Sequence, residues 1–347
     1  MTSIVHRLAL LFLVVAGILI VGISVALGQA EEELTEAQEQ ELELLASLVS
    51  AALEGQIIPP EEPVGWVNDF VKSSEQTTFV PFTFSVEQTM FSSRVQTTQT
   101  VALYVFAEPQ GGPTPSDSSV PIFEDAHHID LDAPTAEGVY EIRGGFWGRA
   151  GDYDVYVALS ESGVLDEDET EAATMMFKRS LSVPNLWSGQ LATSSVILAE
   201  RIEVLAVAMP PDQLLANPYT LGTMRIVPKM TSEYASTGEF SSMLFVYNVG
   251  LTESGMPDVN VDYTFNTLGV EGNGYFNRTN PQRFNERTLP QGFDLTAGHQ
   301  LIADQEVSLS AFPPADYRLD IRVTDNTNGA SLIRSVDFSV STSYDAP

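Results

Sequence analysis

The sequence predicts an all-β chain of two β-sandwich domains, preceded by an N-terminal hydrophobic helix and an acidic helical stem. Three observations carry that reading. After Pro63 the chain is a succession of short runs rich in Thr, Val, Phe and Tyr, separated by Gly, Pro, Asn and Ser clusters, with no alternation with long helical patterns. Its 347 residues, 44% hydrophobic, are enough for two domains with independent cores. The phrase AGDYDVYVAL at 150–159 also returns, altered, as PADYRLDIRVTD at 314–325.

The first element is MTSIVHRLALLFLVVAGILIVGISVALGQAEEE. Arg7 precedes an unbroken apolar run from Leu8 to Leu27, and Gly28 and Ala30 stand at the −3 and −1 positions of a signal-type cleavage site. The run is long for a signal core, and as a helix it would span about 30 Å, enough to cross a bilayer. Residues 1–30 are therefore either a signal peptide cleaved after Ala30 or a retained anchor. Both export the rest of the chain, because Arg7 lies on one side of the run and a block of glutamates on the other.

Residues 31–62 form the expected stem. EEELTEAQEQELELLASLVSAALEG has strong helix formers throughout, with Leu34, Leu42, Leu45, Leu48, Val49 and Leu53 at partly helical spacing and the apolar stripe in the second half. Gly55 and IIPPEEP end it. At this charge density it reads as a solvated spacer, with a partner-binding or self-associating helix as the sharper alternative.

The first sandwich spans 63–185. Its strands are expected over 77–86 and 100–108, then in GVYEIRGGFWG, DYDVYVALS and ATMMFKRSLSVP, with PQGGPTPSDSS and the acidic ESGVLDEDETE as loops. The second spans 186–341 after the connector NLWSGQL, with strands in SSVILAERIEVLAV, TMRIVP, SSMLFVYNVG, VNVDYTFNT, QEVSLSAF, YRLDIRVTD and RSVDFSV. Residues 273–292 read as an exposed loop or irregular strand edge, and 342–347 as a tail.

In each copy of the repeated phrase, a tight turn leads into a Tyr that opens an alternating strand, which then returns as a hairpin. That is the arrangement of the tyrosine corner of immunoglobulin-like domains, in which the ring packs inward and the hydroxyl bonds to upstream backbone. Tyr153 and Tyr317 are assigned that role, and Asp152 and Asp316 are assigned to the turn. Both domains are thus expected to be immunoglobulin-like. The string VPNLWSGQLATSSVILAERIEVL, with the later FVYNVG, FPPADYRLDIRVTD and RSVDFSV, resembles the immunoglobulin-like regions of uncharacterised exported proteins of acidobacteria-type bacteria. The resemblance covers roughly residues 78–341 and implies a fold and an exported location, without transferable catalytic residues.

Composition excludes several functions. With 47 acidic residues against 16 basic ones the formal charge is −31, which repels a phosphate backbone, so nucleic acid is not an expected partner. The chain has no cysteine, which rules out disulfides, thiolate metal sites and a cysteine nucleophile. No Gly-x-Ser-x-Gly elbow, phosphate-binding glycine loop, His-Glu-x-x-His or dinucleotide fingerprint is present, and a non-enzyme is expected.

The most chemical-looking cluster is FEDAHHIDLD at 123–132. Glu124, Asp125, His127 and Asp130 are the candidate ligands of a divalent ion, although adjacent His127 and His128 on a strand would face opposite ways. Beyond a weak divalent cation there, or at the acidic run Asp166–Glu171, no cofactor is expected. The leading expectation is a non-catalytic exported protein, periplasmic, cell-surface or secreted, that mediates protein–protein or surface interaction. Its partner would be an envelope or surface protein, and it would touch membrane only through residues 8–27 if these are uncleaved. Two alternatives remain: a metal-dependent or carbohydrate-directed hydrolase or binding module using 123–132, and an accessory subunit of a secretion or surface complex.

Overall fold

A computed structural model describes residues 34–342, apart from 60–64, 75, 92–98, 111–122, 163–173, 211–212 and 270–273. The apolar run 8–27, the acidic run 166–171 and residues 343–347 lie outside the described residues. No helix among the described residues is long and apolar enough to cross a membrane. The chain is mostly β-sheet and its described residues divide into two compact units, one running to Asn185 and including Leu215–Pro218, the other holding Leu186–Leu214 and the residues from Tyr219 onward.

The first unit opens with helix α1, Glu36–Leu53. Thr35 and Gln38 form a capping box. The Gln38 N–H donates to Thr35 Oγ1 (3.3 Å) and the Thr35 N–H donates to Gln38 Oε1 (2.9 Å). Glu36 and Glu39 in the first turn suit the positive end of the helix dipole, and Gly55, at φ 73°, lets the chain turn away just past the end.

Strands β1 (Trp66–Asn68), β2 (Val71–Lys72), β3 (Thr78–Glu87) and β6 (Val139–Gly148) make one antiparallel sheet, with β1 and β2 on one side of β3 and β6 on the other. Strands β4 (Gln99–Pro109), β5 (Phe123–Leu131), β7 (Gly151–Glu161) and β8 (Thr174–Val183) make the other, in the order β5-β4-β7-β8, also antiparallel. Alternate residues of both sheets meet in one core that includes Val80, Phe82 and Phe84, Val101, Leu103 and Val105, and Val155, Val157 and Leu159.

The Gly144–Gly145 pair of β6 has a packing cause. A Cβ on Gly144 would stand 2.6 Å from Cζ of Phe82, and one on Gly145 would stand 2.7 Å from Cζ of Phe79. The rings on the neighbouring strand lie across these bare backbone positions, one on each face of the sheet.

The expected solvated stem is corrected here. Leu45, Val49 and Ala52 of α1 are buried against Ala102, Tyr104, Tyr156 and Ala158, on the face of the β5-β4-β7-β8 sheet that points away from the sandwich core. Helical spacing puts Leu45, Val49 and Ala52 on one stripe, and alanines at 102, 126 and 158 leave room for the helix backbone to approach. The stripe visible in the sequence is covered by the chain's own sheet.

The second unit repeats the pattern. Strands β9 (Ala192–Thr193), β10 (Ile197–Val204), β11 (Thr220–Leu221), β12 (Met224–Pro228), β14 (Glu239–Tyr247) and β18 (Leu301–Ser308) form one sheet. The facing sheet runs β13-β20-β19-β15-β16, from β13 (Glu233–Ala235), β15 (Val259–Thr267), β16 (Gly274–Arg278), β19 (Ala315–Asp325) and β20 (Ser331–Ser341), with β17 (Gln282–Phe284) also pairing β15. Only β13 is parallel to its neighbour, β20, among these pairings.

In pairing, β14–β18 repeats β3–β6, and β15–β19–β20 repeats β4–β7–β8. Residues 274–292 prove more ordered than an exposed loop. They carry β16 and β17, and Phe284 and Leu289 are buried in the second core.

Candidate functional site

Strand β5 carries the segment nominated for metal chemistry, and its pleat divides that segment. Its register with β4 sets His128 opposite Ala102 and Glu124 opposite Phe106, on the face that α1 covers, while His127 lies opposite Leu103 and Asp125 opposite Val105 on the core side. Glu124 and Asp130 thus face away from Asp125 and His127, and the four do not converge on a point. Among the described residues no three His, Asp or Glu side chains gather as a metal cluster. The proposed ligand set is corrected accordingly, and the cause is the period of two along a strand.

Each half has bonds of its own. On the core side His127 Nδ1 lies 2.6 Å from Asp125 Oδ2, at a partly exposed edge. On the helix side the Tyr104 hydroxyl donates to Glu124 Oε1 (2.6 Å) and the Thr100 hydroxyl donates to Asp130 Oδ1 (2.6 Å). Burial pushes the Tyr104 phenol well above its ordinary range, and the Glu124 carboxylate beside it adds to the shift.

The most buried polar cluster joins the helix to this strand. Glu41 Oε2 lies 2.8 Å from His128 Nε2 and accepts a hydrogen bond from the Ser162 hydroxyl at 2.8 Å, with only 3% of the Glu41 side chain and 9% of the His128 side chain exposed. The sequence reading missed Glu41 and Ser162. The sign was present, because Glu41 stands four residues before Leu45 and eight before Val49, on the stripe that the helix buries.

A Ser, His and Glu in contact invite comparison with a nucleophilic triad, but the order is wrong. In a triad the imidazole stands between hydroxyl and carboxylate and takes the hydroxyl proton. Here the carboxylate stands between the other two, so the imidazole does not face Ser162 through these contacts. The cluster fixes the helix on the sheet.

Both tyrosines of the repeated phrase are buried, Tyr153 at 1% and Tyr317 at 0% exposure. The Tyr153 hydroxyl accepts from the Arg149 N–H (2.9 Å), and the Tyr317 hydroxyl donates to the Pro313 carbonyl (2.6 Å), each reaching four residues upstream. Burial raises both phenols above their ordinary range.

Asp152 and Asp316 are corrected from turn residues to the second residues of β7 and β19. Their carbonyls accept from the N–H groups of Gln110 and Leu268, the residues that follow β4 and β15. A further carboxylate, Asp325, is wholly buried at the end of β19. It accepts from the N–H groups of Gly250 and Thr327, the Thr327 hydroxyl and the Asn328 amide, tying two loops of the second unit together.

Fold and site together define a pair of mainly antiparallel β-sandwiches in which the buried carboxylates of Glu41 and Asp325 bond to the scaffold. No family model and no curated protein matches the chain. Among solved structures, trypsin-activated α2-macroglobulin from Escherichia coli is similar at 9% identity over 83% of this chain and 17% of that one, with a TM-score of 0.21. Salmonella α2-macroglobulin reacted with methylamine is similar at 11% identity over 82% of this chain and 17% of that one, with a TM-score of 0.19. The chain spans 17% of the length of each, and likenesses of this grade carry no argument about activity.

Proposed function

We propose that this chain is a non-catalytic exported protein that works by protein–protein or surface contact, through two immunoglobulin-like modules. The immunoglobulin-like reading draws support from the strand pairing common to both units and from the hydroxyl of each corner tyrosine bonding four residues upstream. One observation carries the non-catalytic part. Glu124 and Asp130, which looked chemical in the sequence, and the buried Glu41 and Asp325, which the sequence did not single out, bond to scaffold groups: Glu41 to Ser162 and His128, Glu124 to Tyr104, Asp130 to Thr100, and Asp325 to two loops. Export rests on the layout of residues 1–30.

Fractionation of the native host tests the reading, with mild cross-linking and identification of the chain's first residue by mass spectrometry. Recovery outside the cytoplasm, starting at Met1 or Glu31 and cross-linked to a recurring protein, is the expected result. Recovery in the cytoplasm would overturn the export reading. A saturable, metal-selective rise in melting temperature that disappears on changing His127 and His128 to Ala would overturn the non-catalytic one.

A further inference from the structure

The sheet β5-β4-β7-β8 has two open edges. Among the described residues, β5 pairs only with β4 and β8 only with β7. Open edges are templates for strand addition unless charge, proline or a bulge blunts them. Neither edge is blunted by a bulge or by proline within Phe123–Leu131 or Thr174–Val183, and the register of each with its neighbour is unbroken.

Their charges are opposite. β5 carries Glu124, Asp125 and Asp130, whereas β8 carries Arg179 and Lys178, the latter 3.2 Å from Asp154 of β7, and no acidic residue, in a chain with 47 acidic residues against 16 basic ones. Their directions also match. Each pairing in the sheet is antiparallel, so β5 and β8 run oppositely, and a second copy placed by translation would set its β5 antiparallel to β8 of the first.

We propose that the chain associates head to tail with further copies of itself, β8 of one copy adding to β5 of the next, so that the four-stranded sheet continues from molecule to molecule. This deepens the contact-protein reading above by naming a second copy as the partner, and it rests on that reading. Residues facing one another must share a face of the sheet, which restricts the register. With Arg179 opposite Asp125, Met175 meets Ile129 and Leu181 meets Phe123, all on the core side of the pleat. On the other face Lys178 stands opposite Ala126, diagonal to Glu124 and His128. The interface is heterologous, so nothing in it stops growth at a dimer.

The test is sedimentation velocity on the purified full chain across a concentration series at fixed salt. The expected result is a progression beyond dimer. Arg179→Asp and Asp125→Arg should each weaken association about tenfold, and the double variant carrying both should regain most of it, since the pair is only exchanged. Thermal melting checks that each variant is folded.

If either charge variant fails to fold, Met175→Cys with Ile129→Cys in this cysteine-free chain keeps the proposal testable. A ladder of intermolecular disulfides on a non-reducing gel is expected. A monomer at all concentrations, growth that stops at dimer, a double variant no better than the singles, or no ladder from the cysteine pair would each overturn the proposal. Those results would leave the contact-protein reading standing, because capture of a different envelope protein tests that separately.

Discussion

Replacing His128 with Ala should release helix α1 from the sheet while leaving the sandwich folded. The imidazole Nε2 stands 2.8 Å from a carboxylate oxygen of Glu41, whose side chain is 3% exposed. Loss of a hydrogen bond that leaves a buried polar group without that partner costs about 1–3 kcal/mol. The helix is held chiefly by Leu45 and Val49, at 0% and 1% exposure, each contributing about 1.5–3 kcal/mol of burial. From that gross figure the entropy of ordering the segment must be subtracted. A loss near 2 kcal/mol is therefore a large share of what holds the helix down.

The sandwich core is a separate cluster that contains no residue of α1, so global melting should move much less than helix docking does. Hydrogen exchange followed by mass spectrometry reads the two separately. Protection of amides in Glu36–Leu53 should fall roughly thirtyfold, while that of β3 and β6 stays near its original value. The double change Glu41→Leu with His128→Leu removes both polar partners and should recover most of the protection, since a buried polar pair is often replaceable by apolar groups of similar size. Unchanged helix protection in His128→Ala would refute the reasoning. A double variant as exposed as the single would refute it too.

Other consequences are open to the same kind of check. Tyr153→Phe should destabilise its unit more than Tyr317→Phe does, by chemical denaturation, because the first leaves an N–H without its acceptor and the second only a carbonyl; about 1–3 against 0.5–1.5 kcal/mol is expected, and the reverse order would contradict it. Gly144→Ala should cost about 1–3 kcal/mol, since its Cβ would meet the Phe82 ring, and a neutral result would show that the ring yields freely. Burial raises the phenol pKa of Tyr104, Tyr153, Tyr234, Tyr263 and Tyr317 in the folded chain. Their contribution is complete below the unfolded value near 10 and is lost as pH rises past it, so melting temperature should be flat from pH 8 to about 9.5 and then fall; a flat profile to pH 11.5 would oppose this.

Much of the fold was legible because alternation and turn chemistry are local. The strand content of DYDVYVALS, VNVDYTFNT and YRLDIRVTD follows from side chains that must point in and out by turns, and β7, β15 and β19 hold those residues. The destination of α1 was not legible. Its apolar stripe stands in the sequence, but the sequence cannot say that Ala102, Ala126 and Ala158, far along the chain, make a floor for it. The short strands β16 and β17 were read only as an exposed loop or irregular strand edge, for a related reason. They are polar in composition and are held by Phe276 and Phe284, whose contacts are tertiary.

The acidic and histidine-rich stretch at 123–132 shows why composition misleads on a strand. Proximity in sequence suggested a ligand set, yet the pleat sends neighbours to opposite faces, and only residues on one face can share an ion. The same stretch makes better sense as the edge of a sheet. An edge strand with Glu124, Asp125 and Asp130 is guarded against casual pairing with acidic strands, because a strand such as β7 or β19 brought alongside would set carboxylate near carboxylate. β8, with Lys178 and Arg179, is an exception in the same sheet. A charge pattern that repels most edges and accepts one kind would give selectivity by the same residues that give solubility. Neutralising Glu124, Asp125 and Asp130 to Gln and Asn should then raise nonspecific aggregation as well as alter ordered association, and light scattering on heating reads the first effect. A variant that stays as soluble as the parent would argue that these carboxylates do not guard the edge.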